Sequence, residues 1–165
     1  MEHWADFGKL TLERMAAGGV FLTVKGEKPN TMTMGWGSLS VYWGKPVFIV
    51  PVRESRYTYE LLKTAKEFTV SVPGESGAFK TALGICGSCS GRDCDKYSLA
   101  GLKLQAGHTT ETPVIQGCAV HYECRILTSL PLGLERLPED IKARCYPKGD
   151  EHTLFFGEIT AAYEG

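Results

Sequence analysis

Two stretches of this chain alternate side chains with period two, and nowhere does a strand–helix rhythm repeat. Glu67 to Val72 sends Phe68, Val70 and Val72 one way and Glu67, Thr69 and Ser71 the other. Ala119 to Ile126 puts Val120, Tyr122, Cys124 and Ile126 on one face and Ala119, His121, Glu123 and Arg125 on the opposite face. Such alternation makes strands with two unlike faces. Val20 to Lys25, Leu102 to Gln105 and Thr153 to Tyr163 read as further strands, and Val47 to Arg53 as a continuous apolar strand covered on both sides. Short helices are expected over Leu10 to Ala17 (closed by Gly18-Gly19), Tyr57 to Lys66, Ala78 to Ile85 and Pro138 to Cys145. A turn falls at Gly26 to Asn30. With about six strands and a few short helices, the pattern favours a mainly β, antiparallel barrel over a doubly wound sheet.

Size and charge narrow the class. The 165 residues suit one domain over residues 1–165, with a core large enough to stand unaided. Hydrophobic residues are 43% and charged residues 22%, and the net charge of −1 gives no field to hold a polyanion, so no nucleic-acid partner is expected. The longest apolar run, Pro46 to Val52, is far short of the roughly 20 residues of a membrane span. Met1 to Asp6 carries two acids and no apolar stretch, unlike a secretory leader, so a cytoplasmic protein is expected.

Six cysteines are present, and without a secretory leader a disulfide framework is not the expected reading. Cys86, Cys89 and Cys94 lie together in CGSCSGRDC, where C-x-x-C is half of a zinc site or a redox dithiol. Cys118 and Cys124 would share a strand face with His121 on the other, which argues against a joint metal site. The spacing also reverses the plant-type ferredoxin order. Structural or reactive thiols are expected, and no metal.

There is no P-loop, no dinucleotide-binding glycine fingerprint and no nucleophile elbow. Three segments remain that could carry chemistry. Arg53-Glu54-Ser55-Arg56-Tyr57-Thr58 follows a buried strand and opens a helix, with Ser55 placed as an N-cap. Outward N–H groups, Arg53, Arg56 and the Thr58 hydroxyl could hold a phosphate monoester. The same segment also reads as a capped helix with two solvated arginines. Thr31 to Val41 holds Gly35 and Gly37, and within it Thr33-Met34-Gly35-Trp36-Gly37-Ser38 could admit a flat aromatic ligand against its backbone, or simply turn a barrel corner. Gly87 to Lys96 is a polar loop of small residues that could wrap a polyol or phosphate, with Lys96 meeting a negative centre, or an ordinary surface loop. His152 is read as structural, and His3 and His108 as surface residues.

Taken in order, NTMTMGWGSLSVYWGKPVFIVPVRESRYTYELL, FTVSVP, CGSCSGRDCDK and HTLFFGEI resemble the flavin reductase-like family of FMN-binding split β-barrels, and its flavoredoxin-type branch in particular. The likeness runs from about Val20 to Ile159. It implies a six-stranded antiparallel Greek-key split barrel, working as a homodimer with FMN near the subunit interface. Carried over by position, Thr33, Met34, Gly35, Trp36, Gly37 and Ser38 would line the ring and ribityl chain. Arg53, Ser55, Arg56, Tyr57 and Thr58 would hold the phosphate or adjacent chain. Ser90, Gly91, Arg92 and Lys96 would close over the cofactor. The resemblance implies an oxidoreductase passing reducing equivalents from NAD(P)H or a reduced redox protein to flavin or another acceptor, or else an electron carrier with no nicotinamide site. It supplies no general acid or base, so no catalytic residue is named. Asn30-Thr31 stands where relatives often have Asn-Pro, and Cys89 and Cys94 fall where no obligatory cysteine is expected.

Overall fold

The computed structural model describes residues 4–75 and 77–165. The readings placed on Met1, Glu2 and His3 lie outside the described residues. The described residues form nine strands: β1 (Val20–Lys25), β2 (Pro29–Met34), β3 (Ser38–Tyr42), β4 (Lys45–Arg53), β5 (Glu67–Val72), β6 (Leu104–Gln105), β7 (Val114–Ile115), β8 (Val120–Pro131) and β9 (His152–Glu164). Among the described residues five α-helices accompany them: α1 (Gly8–Ala16), α2 (Tyr57–Leu62), α3 (Lys80–Ser88), α4 (Lys96–Ala100) and α5 (Glu139–Cys145). No helix among the described residues is long and apolar enough to cross a membrane.

The main sheet has seven strands in the order β2-β1-β5-β8-β9-β4-β3, and β6 pairs only with β7. Every pairing is antiparallel. The expected antiparallel, mainly β class is therefore observed. The expected count of six is not: Thr31 to Val41 is two strands, because the chain leaves β2 at Gly35 and enters β3 at Ser38. β2 and β3 are the two opposite edges of the sheet, yet only Gly35, Trp36 and Gly37 separate them. Four extended steps reach about 14 Å at most. The sheet must therefore curl until its edges nearly meet, and no ladder joins β2 to β3 among the described residues.

The curl encloses one apolar core. Val20, Leu22 and Val24 of β1 meet Phe48, Val50 and Val52 of β4, Phe68, Val70 and Val72 of β5, and Val120, Tyr122 and Cys124 of β8. The alternation read from the sequence thus selects the inward face of β5 and β8. β4 is buried less evenly than expected: Ile49 and Pro51, on its second side, stay partly exposed. Gly157 of β9 leaves the space that the Phe68 ring fills, since a Cβ there would lie 2.5 Å from it. A second apolar cluster lies outside the sheet, where Phe21 packs on Ala82, Leu83 and Cys86 of α3, with Leu102, Ile115 and Cys118. Cys118 precedes β8 and joins this outer cluster while Cys124 faces the inner core, so the two do not share a strand face as expected.

The polar faces of β5 and β8 are buried as well, because they satisfy the backbone of the segment that crosses them. Glu67 accepts from Thr112 N at 2.7 Å, and the Thr69 hydroxyl donates to Pro113 O at 2.7 Å. Ser71 Oγ accepts from Ile115 N at 3.0 Å, which leaves its proton for His121 Nδ1, also at 3.0 Å. The Glu123 carboxylate accepts from the backbone of His108, Thr109 and Thr110 and from the Tyr163 hydroxyl, at 2.6 to 2.9 Å.

These buried groups make stability depend on pH. Burial holds the His121 pKa down at about 4, with Glu123 opposing. Burial alone would raise Glu123, but the donors from Tyr163, His108 and Thr109 outweigh it and bring the pKa to about 2. Both values lie below those of the unfolded chain, which therefore binds more protons as acid is added, and stability falls. Thermal melts at stepped pH are expected to show the melting temperature falling first between about pH 6.5 and 4, then again below about pH 4.5. His121→Gln is expected to remove part of the first decline. A melting temperature constant from about pH 7 to 4 would contradict the assignment.

Candidate functional site

Along β2, facing the end of β4 and the start of α2, lies a cleft with two lobes. The first, of ≈ 180 Å³, is lined by Met32, Thr33, Met34, Gly35, Trp36, Pro51, Arg53, Arg56 and His152. The second, of ≈ 220 Å³, is lined by Met32, Thr33, Ser55 to Thr58, Cys86 to Asp93 and Lys96. Met32, Thr33 and Arg56 line both, so the two lobes adjoin each other along β2.

The first lobe is partly apolar, with Met32, Met34, Trp36 and Pro51 in its lining. Trp36 is half exposed, and its ring sits 5.2 Å from that of His152. Arg53 and His152 are register partners on β4 and β9, which brings both to the same end of the sheet. His152 Nδ1 lies 2.7 Å from the Tyr146 hydroxyl. Burial, reinforced by Arg53, holds the His152 pKa down at about 4, so the imidazole is neutral near neutral pH. The sequence placed His152 as a lone structural residue; the partner that orients it, Tyr146, comes from beyond α5. Gly37 and Ser38 do not line the cleft. Gly37 turns inward, where a Cβ would meet Ile49 O at 3.1 Å and the Met15 sulfur at 3.2 Å, and Ser38 pairs with Ile49 in the β3–β4 ladder.

The second lobe gathers donors. Arg56 is exposed, extended at φ −81° and ψ 140°, and its guanidinium has no hydrogen-bonded or ionic partner among the described residues. It precedes α2 as the cap position, so Ser55 is not the N-cap that its place in the sequence suggested. Ser55 is held elsewhere: its N–H and hydroxyl donate to the Asp150 carboxylate at 3.1 and 2.8 Å. Arg53 is likewise committed, donating to Asp150 O at 2.9 Å and Cys145 O at 2.8 Å while lying over the Tyr146 ring. Arg92 lies 4.9 Å over the Tyr57 ring and 3.4 Å from Glu60. That ion pair is half exposed and contributes only about 0–1 kcal/mol.

Lys96 is almost wholly buried, contrary to the reading of it as a loop residue reaching for a ligand charge. Its ammonium donates to Thr31 O at 2.9 Å and to Cys86 O at 3.2 Å. Burial pushes its pKa below the ordinary lysine value. It ties edge strand β2 to the end of α3, and so fixes the floor of the lobe. The Thr33 hydroxyl adds a second tie, to Leu83 O at 2.6 Å. Thr58 is buried and accepts from the Asn30 amide at 2.9 Å.

Gly91 shows how tightly the wall is built. A Cβ there would fall 2.0 Å from Asn30 Oδ1 and 3.3 Å from the Tyr57 ring. Gly87, Ser88, Cys89 and Asp93 of the polar loop line the second lobe, and Met32, Pro51, Cys86 and His152 also line the cleft without having been singled out for it. For most of these nothing local marks them; they arrive through the closure of the sheet and the end of α3.

Residues 12–165 match the family described as Flavin reductase like domain, and the chain belongs to that family. An uncharacterized protein of Archaeoglobus fulgidus is 30% identical over 146 residues, which cover 88% of this chain and 71% of that one. Among solved structures, an FMN-binding protein from Thermus thermophilus with bound p-hydroxybenzaldehyde matches with TM-score 0.70 and 25% identity, over 90% of this chain and 72% of that one. A flavoredoxin from Methanosarcina acetivorans matches with TM-score 0.68 and 29% identity, over 90% of this chain and 69% of that one.

Gly91→Ala is expected to force Asn30 off Thr58, lowering stability by about 1–3 kcal/mol. Urea unfolding measures this, and an unchanged midpoint would mean that the wall accommodates the methyl group.

Proposed function

We propose that the cleft binds FMN and that the protein passes reducing equivalents from NAD(P)H or a reduced redox protein, through that cofactor, to flavin or another acceptor. When bound, FMN supplies the two-electron chemistry of its ring. One observation carries the reading: a lobe with an exposed tryptophan adjoins a lobe with an arginine that has no carboxylate partner among the described residues. A flat ring joined to a phosphate matches that pair of surfaces.

In this reading Arg56 donates to the phosphate, and the second-lobe residues Ser55, Tyr57, Thr58, Ser90, Gly91 and Arg92 wall it in, while Lys96 acts from beneath as a strut. Met34, Gly35 and Trp36 flank the ring, with Thr33 bridging the lobes. Arg53 and the neutral His152 close the far end without a formal charge on the imidazole. The likeness to a flavoredoxin favours a second form of the same proposal, an electron carrier reduced by a partner protein rather than by a nicotinamide.

Purified protein supplied with FMN is expected to turn yellow and to release FMN on denaturation; a colourless protein that takes up none would overturn the proposal. Rapid bleaching by NADH or NADPH distinguishes the reductase from the carrier. Arg56→Ala is expected to weaken FMN by about 10- to 100-fold, the worth of a hydrogen bond to a charged group, with riboflavin little changed. Equal loss for both ligands would put the phosphate elsewhere.

We further propose a homodimer. Val41, Tyr42 and Trp43 at the β3–β4 turn are exposed, and Tyr42 and Trp43 pack against Phe156, edge-on and tilted, to make one apolar patch on an edge strand. Such patches and edges are covered in stable assemblies. Sedimentation is expected to give twice the chain mass, and Trp43→Arg to give monomer. An unaltered dimer in that variant would place the interface on another face.

A further inference from the structure

The cofactor reading makes no use of the cysteines. Cys89 and Cys94 are bonded to each other, five positions apart, with their Cα atoms 6.7 Å from one another. The C-x-x-C pair suggested by spacing, Cys86 with Cys89, is not the bonded one. The residues inside the ring that this bond closes are Ser90, Gly91, Arg92 and Asp93, and all four line the second lobe, as does Cys89. The ring is therefore the outer wall of the lobe that holds Arg56.

Gly91 packs closely on Asn30 and Tyr57, but few polar contacts hold the wall from outside. The turn bonds of Asp93 N and Cys94 N to Ser90 O, and of Arg92 N to Ser90 Oγ, run within the ring itself. On its outer side Arg92 meets Glu60 and Tyr57 near the surface. The two ends are anchored, Cys89 N to Ile85 O of α3 and Asp95 as the cap of α4. Between those anchors the disulfide is the one covalent constraint on the chain. It is also reachable: Cys89 and Cys94 are partly exposed, whereas Cys86, Cys118 and Cys124 are buried.

We propose that Cys89 and Cys94 form a reversible dithiol–disulfide couple, whose oxidised form holds the Ser90–Asp93 wall against the anion-binding lobe. The co-reactant is a dithiol. One of its thiolates attacks a ring sulfur, the S–S bond breaks, and the other cysteine leaves as a thiolate and takes a proton. The second thiol of the reductant then displaces the mixed disulfide. Two electrons and two protons reach the protein, and the reductant ends as its own disulfide. Opening the ring returns to the loop the freedom that closure removed. Only the ligand arm of the test below rests on the FMN reading.

Air-equilibrated protein, acid-quenched and alkylated in denaturant, is expected to carry label on the four remaining cysteines. After dithiothreitol all six of the chain should carry it. Six without reductant overturns the couple. Amide hydrogen exchange at residues 90–94 is expected to rise at least about tenfold on reduction, with β5 and β8 unchanged. Exchange that does not change there overturns the wall. Cys89→Ser with Cys94→Ser is expected to match the reduced protein whether or not dithiothreitol is present; a response to dithiothreitol in that variant overturns the assignment. FMN is expected to bind about tenfold more weakly to the reduced protein, with riboflavin unaffected. Equal FMN affinity in both states overturns control of the lobe. FMN binding in neither state overturns the cofactor reading alone, because thiol counts and exchange stand without it.

Discussion

Three residues, Gly35, Trp36 and Gly37, join the two outermost strands of the sheet, and this covalent limit governs the molecule. Edges that would lie far apart in a flat seven-stranded sheet must come together at this point. The curl that results gives β1, β4, β5 and β8 a common interior, and it leaves a gap where β2 and β3 fail to pair. The cleft lies along β2, facing the end of β4. Its first lobe is made partly by the link itself, through Gly35 and Trp36. The glycines have different parts to play. Gly37 permits close approach to the Ile49 carbonyl, whereas a Cβ at Gly35 would make only an ordinary contact with Met15 O at 3.5 Å.

An edge strand beside a binding groove needs its backbone covered without being sealed. β2 achieves this with side chains rather than another strand. Lys96 takes the Thr31 carbonyl, and Thr31 Oγ1 meets both Thr23 and Tyr97 at 2.8 and 2.9 Å. Thr33 reaches Leu83 in α3. Phe21 and the outer apolar cluster hold α3 at the right distance for these bonds. The layer outside the sheet is thus coupled to the groove through polar contacts on one strand, while its own stability comes from apolar burial.

Two strands were legible in sequence to their end residues. Val20–Lys25 and Glu67–Val72 form with the limits that their patterns predict. The break inside Thr31 to Val41 was not, because the glycines gave notice of something unusual but not of a closure between opposite sheet edges. β8 runs on to Pro131 through exposed residues that pair with β9, so no burial pattern marks its end. Within the site, the aromatic link and the arginine-bearing segment were legible as groups. The individual duties were not. Ser55 has the local sequence of a cap, but Asp150, 95 residues away, claims both its donors. Lys96 sits in a polar run that gives no hint of burial, and Cys89 and Cys94 carry no local sign of whether they bond.

The groove's two lobes share Met32, Thr33 and Arg56, and this has a consequence for how ligands compete. A molecule that engages one lobe places its other end near the second at a high effective concentration, so the two contacts reinforce each other as in a chelate. Separate fragments gain no such advantage. An isolated phosphate or an isolated planar ring would occupy its lobe weakly, and each would displace a linked ligand poorly. Selectivity then lies in the span between the two ends as much as in either end, and that span is set by strand β2.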